Sequence, residues 1–182
     1  MKTFHTCFCW AIAAAFAITT TPLLAKLPLT EGDKAPLFSS HDQDGNKFNL
    51  KSQIGKGIVL LYFYPKDDTR GCTAEACSLR DKMTDFKQRD VTVVGVSFDN
   101  AASHQQFSFK YNLNFPLLPD TKGEIADAYG VRVQPDKNMA RRVSFLIGLN
   151  GRIVHITDSP DPAVHVREMQ EAIGHMEGKT WP

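Results

Sequence analysis

Cys72 and Cys77 stand five residues apart, with Thr69 three residues and Pro65 seven residues ahead of the first. The chemistry open to such a group is that of a nucleophilic thiol. A free cysteine titrates near pH 8.5, so it needs local help to react as the thiolate at neutrality. A helix N-terminus supplies that help, because its first amides have no intrahelical acceptor and its macrodipole favours an anion. The flanking sequence puts Cys72 at such a point. Residues 58–64 are an apolar, β-branched and aromatic run of buried-strand length, and Pro65 stops it by having no N–H for a sheet ladder. Residues 66–71 form a polar loop, and Thr73, Ala74, Glu75, Ala76, Ser78, Leu79 and Arg80 favour a helix after it. The ordinary fate of a free cysteine is burial as an inert hydrophobe. A strand end, a tight loop and a thiol at a helix start speak against that fate for Cys72.

The elements that must position this joint follow from periodicity. A helix is expected from Cys72 to about Arg89, with Ala76, Leu79, Met83 and Phe86 on one face. Residues 91–98 read as a second buried strand, which makes a parallel βαβ unit with the first. Upstream, residues 37–50 read as a hairpin turning at Asp44-Gly45. Downstream, Asn100 or Ser103 caps a helix that runs to Tyr111, and residues 115–118 are a short apolar piece. A short helix over residues 123–129 ends at Gly130. Residues 142–149 and 152–157 flank Asn150-Gly151, a strong hairpin signal, and a last helix begins at Asp161 or Pro162. Arg141 and Arg142, neighbours on a strand, must face opposite sides, so at most one of them points into a given site. The predicted architecture is an α/β sandwich of thioredoxin-like type, with a central mixed sheet, flanking helices and an N-terminal β-hairpin extension.

Pro65, Thr69 and Cys72 stand in the pattern P-x-x-x-T-x-x-C, which resembles the active-site signature of the peroxiredoxins. With Cys77 at C-x-x-x-x-C the chain is similar to the Q-type subgroup, the bacterioferritin-comigratory proteins of the alkyl hydroperoxide reductase/thiol-specific antioxidant family. Arg142, within the run Arg141-Arg142-Val143-Ser144-Phe145-Leu146-Ile147, resembles the arginine that this family carries on a strand near its thiol. The resemblance implies a thiol-dependent peroxidase. Cys72 would attack a hydroperoxide and become a sulfenic acid, and Cys77 would condense with it to a disulfide. A thioredoxin-like or other dithiol protein would then reduce that disulfide. Thr69 would hydrogen-bond the thiolate and the incoming oxygen, Pro65 would shield the pocket, and Arg142 would hold the thiolate and polarise the peroxide. No metal or other cofactor is expected, and the expected assembly is a monomer or weak homodimer. Two rivals share the fold. A thioredoxin-like thiol-disulfide oxidoreductase would carry C-x-x-C, and a copper-delivery protein C-x-x-x-C with a distal histidine. His104, His155 and His165 fall in no ligand motif and are read as surface or satisfied histidines.

The cysteine spacing makes a structural demand. Five residues of ideal helix separate the Cα atoms by roughly 8.7 Å. A disulfide needs them within about 7 Å. Cys72 and Cys77 therefore cannot bond while the helix between them is wound.

The first 25 residues are of another kind. Lys2 and His5 precede an apolar run, residues 7–18, followed by Pro22 and Leu23-Leu24-Ala25. This reads as a secretory signal peptide cleaved near Ala25, with residues 26–182 as the exported, periplasmic domain and an uncleaved membrane anchor as the alternative. The run is short for a membrane span of about 20 residues. Cleavage would remove Cys7 and Cys9, leaving 20 basic and 20 acidic residues. Neutrality of that kind gives no handle for nucleic acid or an anionic membrane.

Overall fold

A computed structural model describes residues 28–176 of the chain. The signal segment expected over residues 1–25 lies outside the described residues. The centre of the molecule is strand β3 (Ile58–Phe63), buried along its whole length. Burial on both faces explains why its sequence is continuously apolar rather than alternating. It pairs in parallel with β4 (Val91–Ser97) and antiparallel with β6 (Val143–Ile147). The edges are β5 (Leu117–Pro119), parallel to β4, and β7 (Ile153–Asp158), antiparallel to β6, giving the order β5-β4-β3-β6-β7. A separate two-stranded hairpin, β1 (Ser39–His41) with β2 (Lys47–Asn49), precedes the sheet as the sequence predicts.

Successive side chains of a strand point to opposite faces, so β3 feeds two cores. Leu60 and Tyr62, with Tyr64 just beyond, pack with Cys72, Ala76 and Leu79 of helix α1 (Arg70–Asp81) and with Val166, Met169 and Ile173 of α5 (Pro162–Met176). The same core takes Met83 and Phe86 of α2 (Met83–Gln88) and Phe107 of α3 (Ala101–Tyr111). Val59, Leu61 and Phe63 pack on the other face with Phe48, Phe145 and Tyr129, and with Ile125 of α4 (Glu124–Ala128). Each fully buried large side chain contributes roughly 1.5–3 kcal/mol relative to exposure. Position 95 must stay glycine for packing reasons: a Cβ there would sit 2.7 Å from Leu117 and 2.8 Å from the Tyr62 ring.

Local signals hold at most boundaries. Asn100 Oδ1 accepts from the Ser103 amide at 2.9 Å and starts α3, and Gly151 takes φ +74° in the β6–β7 turn. The helix expected from Cys72 to Arg89 is corrected in two ways. It starts two residues earlier, at Arg70, and it breaks at Lys82, where φ −98° and ψ 1° interrupt the ladder between α1 and α2. No glycine or proline marks that break. The conformation is one any residue can adopt, so composition carries no signal for it.

Candidate active site

Thr69 ends the loop after β3 with extended backbone (φ −88°, ψ 150°), and its carbonyl accepts the first helical hydrogen bond of α1 from the Thr73 amide at 2.8 Å. Cys72 is therefore in the first turn, where the amides before it have no acceptor within the helix. Its side chain is 2 % exposed and lies against the apolar core with Tyr62 and Tyr64. Arg142, at the last position before β6, reaches across from the sheet, and its Nη2 donates to Cys72 Sγ at 3.3 Å. Arg141 turns the other way, to Asp158 and the Gly130 carbonyl. The two arginines point apart as expected, although both precede β6 rather than lying in the strand. Gly71 makes room for the guanidinium: a Cβ at 71 would stand 3.1 Å from Arg142 Nη2.

The second guanidinium nitrogen engages a residue that sequence reasoning treats only as helix-forming. Arg142 Nη1 donates to Glu75 Oε2, and both side chains are buried. Burial pushes the Glu75 carboxyl up to about 7, against the opposing pull of Arg142. Burial works against the charge of Arg142, but Glu75 and the Cys72 sulfur outweigh it, and its pKa ends above the ordinary value. Glu75 Oε1 has no hydrogen-bond partner and lies 3.8 Å from His165 Nδ1. His165 Nε2 donates to the Ser159 carbonyl at 2.8 Å, which leaves Nδ1 to accept from Ser144 Oγ, also at 2.8 Å. Burial lowers the His165 pKa, in keeping with that neutral tautomer. The expectation of a surface or satisfied histidine is met at His165 by a buried, satisfied one. His104 is also buried, but its Nε2 has no partner. A signal for Glu75 was present in the spacing: a carboxylate three residues after Cys72 falls on the same helix face as Cys72, Ala76 and Leu79.

The hydroxyl and thiol among the other predicted residues make no hydrogen bond to the Cys72 sulfur. Thr69 is exposed, and its hydroxyl donates to the Lys66 carbonyl at 3.0 Å, so its free lone pairs remain as acceptors. Pro65 is half-buried at the strand end. Cys77 is a half-buried free thiol, as Cys72 is a buried one. Both belong to the one wound helix, so the structure does not bring the two sulfurs together. Among the described residues no three His, Cys, Asp or Glu side chains group closely enough to hold a metal ion.

A thiol on a helix start beside the central strand of a mixed sheet, with a buried arginine on it, defines a thiol enzyme on a thioredoxin-like scaffold. The chain belongs to the AhpC/TSA family, whose pattern matches residues 31–156. It is 42% identical over 136 residues to peroxiredoxin Bcp of Escherichia coli (strain K12), covering 72% of this chain and 86% of that one. Its fold is similar to that of peroxidoxin BcpB from Mycobacterium tuberculosis, with a TM-score of 0.77 at 29% identity over 81% of this chain and 98% of that one. It is also similar to the bacterioferritin comigratory protein of Xanthomonas campestris, whose trapped intermediate/ligand complex structures concern its alkyl peroxide reduction activity. The TM-score there is 0.69 at 26% identity, over 76% of this chain and 90% of that one. The protein is a thiol-dependent peroxidase of the peroxiredoxin Q/Bcp type. The oxidoreductase and copper-delivery alternatives are not favoured.

Proposed function

We propose that Cys72 is the peroxidatic thiol and that hydrogen peroxide and organic hydroperoxides are its substrates. The observation that carries this is the 3.3 Å contact between Arg142 Nη2 and a buried sulfur in the first turn of α1. The thiolate attacks the terminal oxygen of the hydroperoxide, the O–O bond breaks, and the sulfur becomes a sulfenic acid. The alkoxide or hydroxide that leaves takes a proton to become alcohol or water. Arg142 donors aimed at the breaking bond stabilise charge as it develops. Thr69 Oγ1, with its proton committed to Lys66, accepts from the hydroperoxide O–H, and Pro65 walls the approach. Cys77 then resolves the sulfenic acid to an intramolecular disulfide after α1 unwinds, and a thioredoxin-like dithiol protein reduces it. No cofactor takes part.

The protein works as an exported, periplasmic monomer or weak homodimer, cleaved near Ala25 and free of the membrane. The support is the basic start, short apolar run and terminal alanine of residues 1–25. Among the described residues no helix is long and apolar enough to cross a membrane. Cys72→Ser is expected to abolish peroxide consumption with any dithiol donor, and near-normal turnover in that variant would sink the assignment. Mass spectrometry of the exported protein is expected to find a start near Lys26, and an intact Met1 would count against cleavage.

A further inference from the structure

Helix α3 grips the redox segment from both sides of the cysteine pair. Ahead of Cys72, the buried Asp67 accepts from Tyr64 Oη at 2.7 Å, Ser103 Oγ at 2.7 Å and His104 Nδ1 at 2.8 Å. Its neighbour Asp68 accepts from Lys110 Nζ at 2.7 and 2.9 Å and from Tyr111 Oη at 2.6 Å. Beyond Cys77, Arg80 Nη1 donates to the Tyr111 carbonyl at 2.5 Å, and its other nitrogens pair with Asp81. One tyrosine thus holds the near flank through its hydroxyl and the far flank through its backbone.

The two flanks differ in strength. The near one has several charged or buried bonds, and behind it Cys72 is sealed in the core. The far one is joined to α3 by Arg80, whose side chain is 27% exposed. This half of α1 also borders an open groove of about 680 Å³ against α5, lined by Ser78, Asp81, Lys82, Val166 and Arg167. The disulfide requires one cysteine to travel, since the wound helix keeps the Cα atoms roughly 8.7 Å apart. The near flank is the costly one to release, so Cys77 is the cysteine that travels. Arg80 lies one turn beyond it and must let go first.

We propose that Arg80 is a positioning residue that times the second chemical step: its bond to the Tyr111 carbonyl keeps α1 wound around Cys77, and its release admits Cys77 to the sulfenic acid. This rests on the reading of Cys77 as the resolving thiol. In that step the Cys72 S–O bond breaks and the S–S bond forms. The sulfenic hydroxyl leaves with the Cys77 proton as water, and the oxidising equivalent is the hydroperoxide already consumed. While α1 stays wound, the sulfenic acid is exposed to a second peroxide and to irreversible oxidation. The strength of the Arg80 tie therefore sets the balance between resolution and over-oxidation.

The experiment is rapid mixing of the full chain with one equivalent of hydrogen peroxide, with acid quench and mass spectrometry separating sulfenic acid from disulfide. In Arg80→Gln the sulfenic acid is expected to form at the wild-type rate and the disulfide about five- to tenfold faster, the scale of one lost ordinary hydrogen bond at a part-exposed site. The peroxide dose that over-oxidises half of Cys72 should rise by the same factor, and amide exchange over residues 73–81 should quicken in the reduced protein. Arg80→Lys, which keeps a cation beside Cys77, should fall between the two. Asp68→Asn, which loosens the opposite flank, should slow sulfenic acid formation and leave the disulfide step unchanged. An Arg80→Gln disulfide step at or below the wild-type rate overturns the role of Arg80 alone. So does an Asp68→Asn variant that behaves like Arg80→Gln. Absence of any Cys72–Cys77 disulfide in the wild type, with Cys77→Ser cycling normally, defeats the reading of Cys77 and the inference with it.

Discussion

Two buried polar clusters face the same helical core, and they are built on opposite terms. Around Asp67 nearly every bond is made: the carboxylate is shared by Tyr64, Ser103 and His104, and the Asp67 amide donates to Asp99 at 2.9 Å. Around Arg142 the bonds are incomplete. Glu75 Oε1, Arg142 Nε and Tyr62 Oη are buried without partners, and one guanidinium serves both Glu75 and Cys72. An unpaired buried polar atom costs about 1–3 kcal/mol, so the second cluster is held at the expense of stability. The lesson is a division of labour between a latch with one open valence, His104 Nε2, and a site that keeps three open for reaction.

The largest expected effect separates the two clusters most sharply. Arg142→Gln removes the donor from the sulfur and leaves Glu75 without its countercharge. The rate of Cys72 oxidation by hydrogen peroxide should fall about 100- to 1000-fold, the usual scale for loss of a transition-state donor. An Arg142→Gln protein that oxidises at the wild-type rate would end the distinction.

Next comes the pH dependence of stability. The Glu75 carboxyl sits at about 7 in the folded chain against an ordinary 4.5. Between those values the folded state keeps a proton that the unfolded state has lost, so the neutral carboxyl favours folding at low pH. That contribution is lost as the pH rises through about 7. Wild type should lose up to about 3 kcal/mol from this group between pH 5 and 8, and Glu75→Gln should lack that slope. Parallel urea-melting curves across the pH range in the two proteins would contradict it.

Asp67→Asn tests the latch. It removes the charge from a buried network and should lower stability by about 2 kcal/mol. The rate of Cys72 oxidation should change far less than in Arg142→Gln. A loss of rate as large as that of the arginine variant would show that the two clusters are one.

The smallest effect is expected at Gly71. Alanine favours a helix by about 1 kcal/mol over glycine. Its methyl, however, would crowd a guanidinium pinned on both arms, at 3.1 Å. Gly71→Ala should therefore melt within about 1 kcal/mol of wild type and react with peroxide about tenfold more slowly. Unchanged reactivity would mean that the guanidinium has slack.

What could be read from the chain alone was whatever rests on local chemistry. The strand expected over residues 58–64, the loop stop at Pro65, a helix start close to Cys72, a cap at Asn100 or Ser103 and the turn at Asn150-Gly151 are each set by a few neighbouring residues, and the structure moves the helix start only to Arg70. The motif Pro65, Thr69, Cys72 with Arg142 announced the family for the same reason. The tertiary structure decided the rest. Glu75 reads only as a helix-former until the lead into β6 brings Arg142 beside it, 67 residues along the chain. His165 and Ser144 become one hydrogen-bonded unit only because α5 crosses the same face of the sheet. Asp67 and Asp68 read only as part of a polar loop and Arg80 as a solvated helix residue, and α3 makes the first a buried anchor and gives the other two their ties. Charged side chains take their energies from the partners and the dielectric around them, and both are supplied by segments distant in sequence.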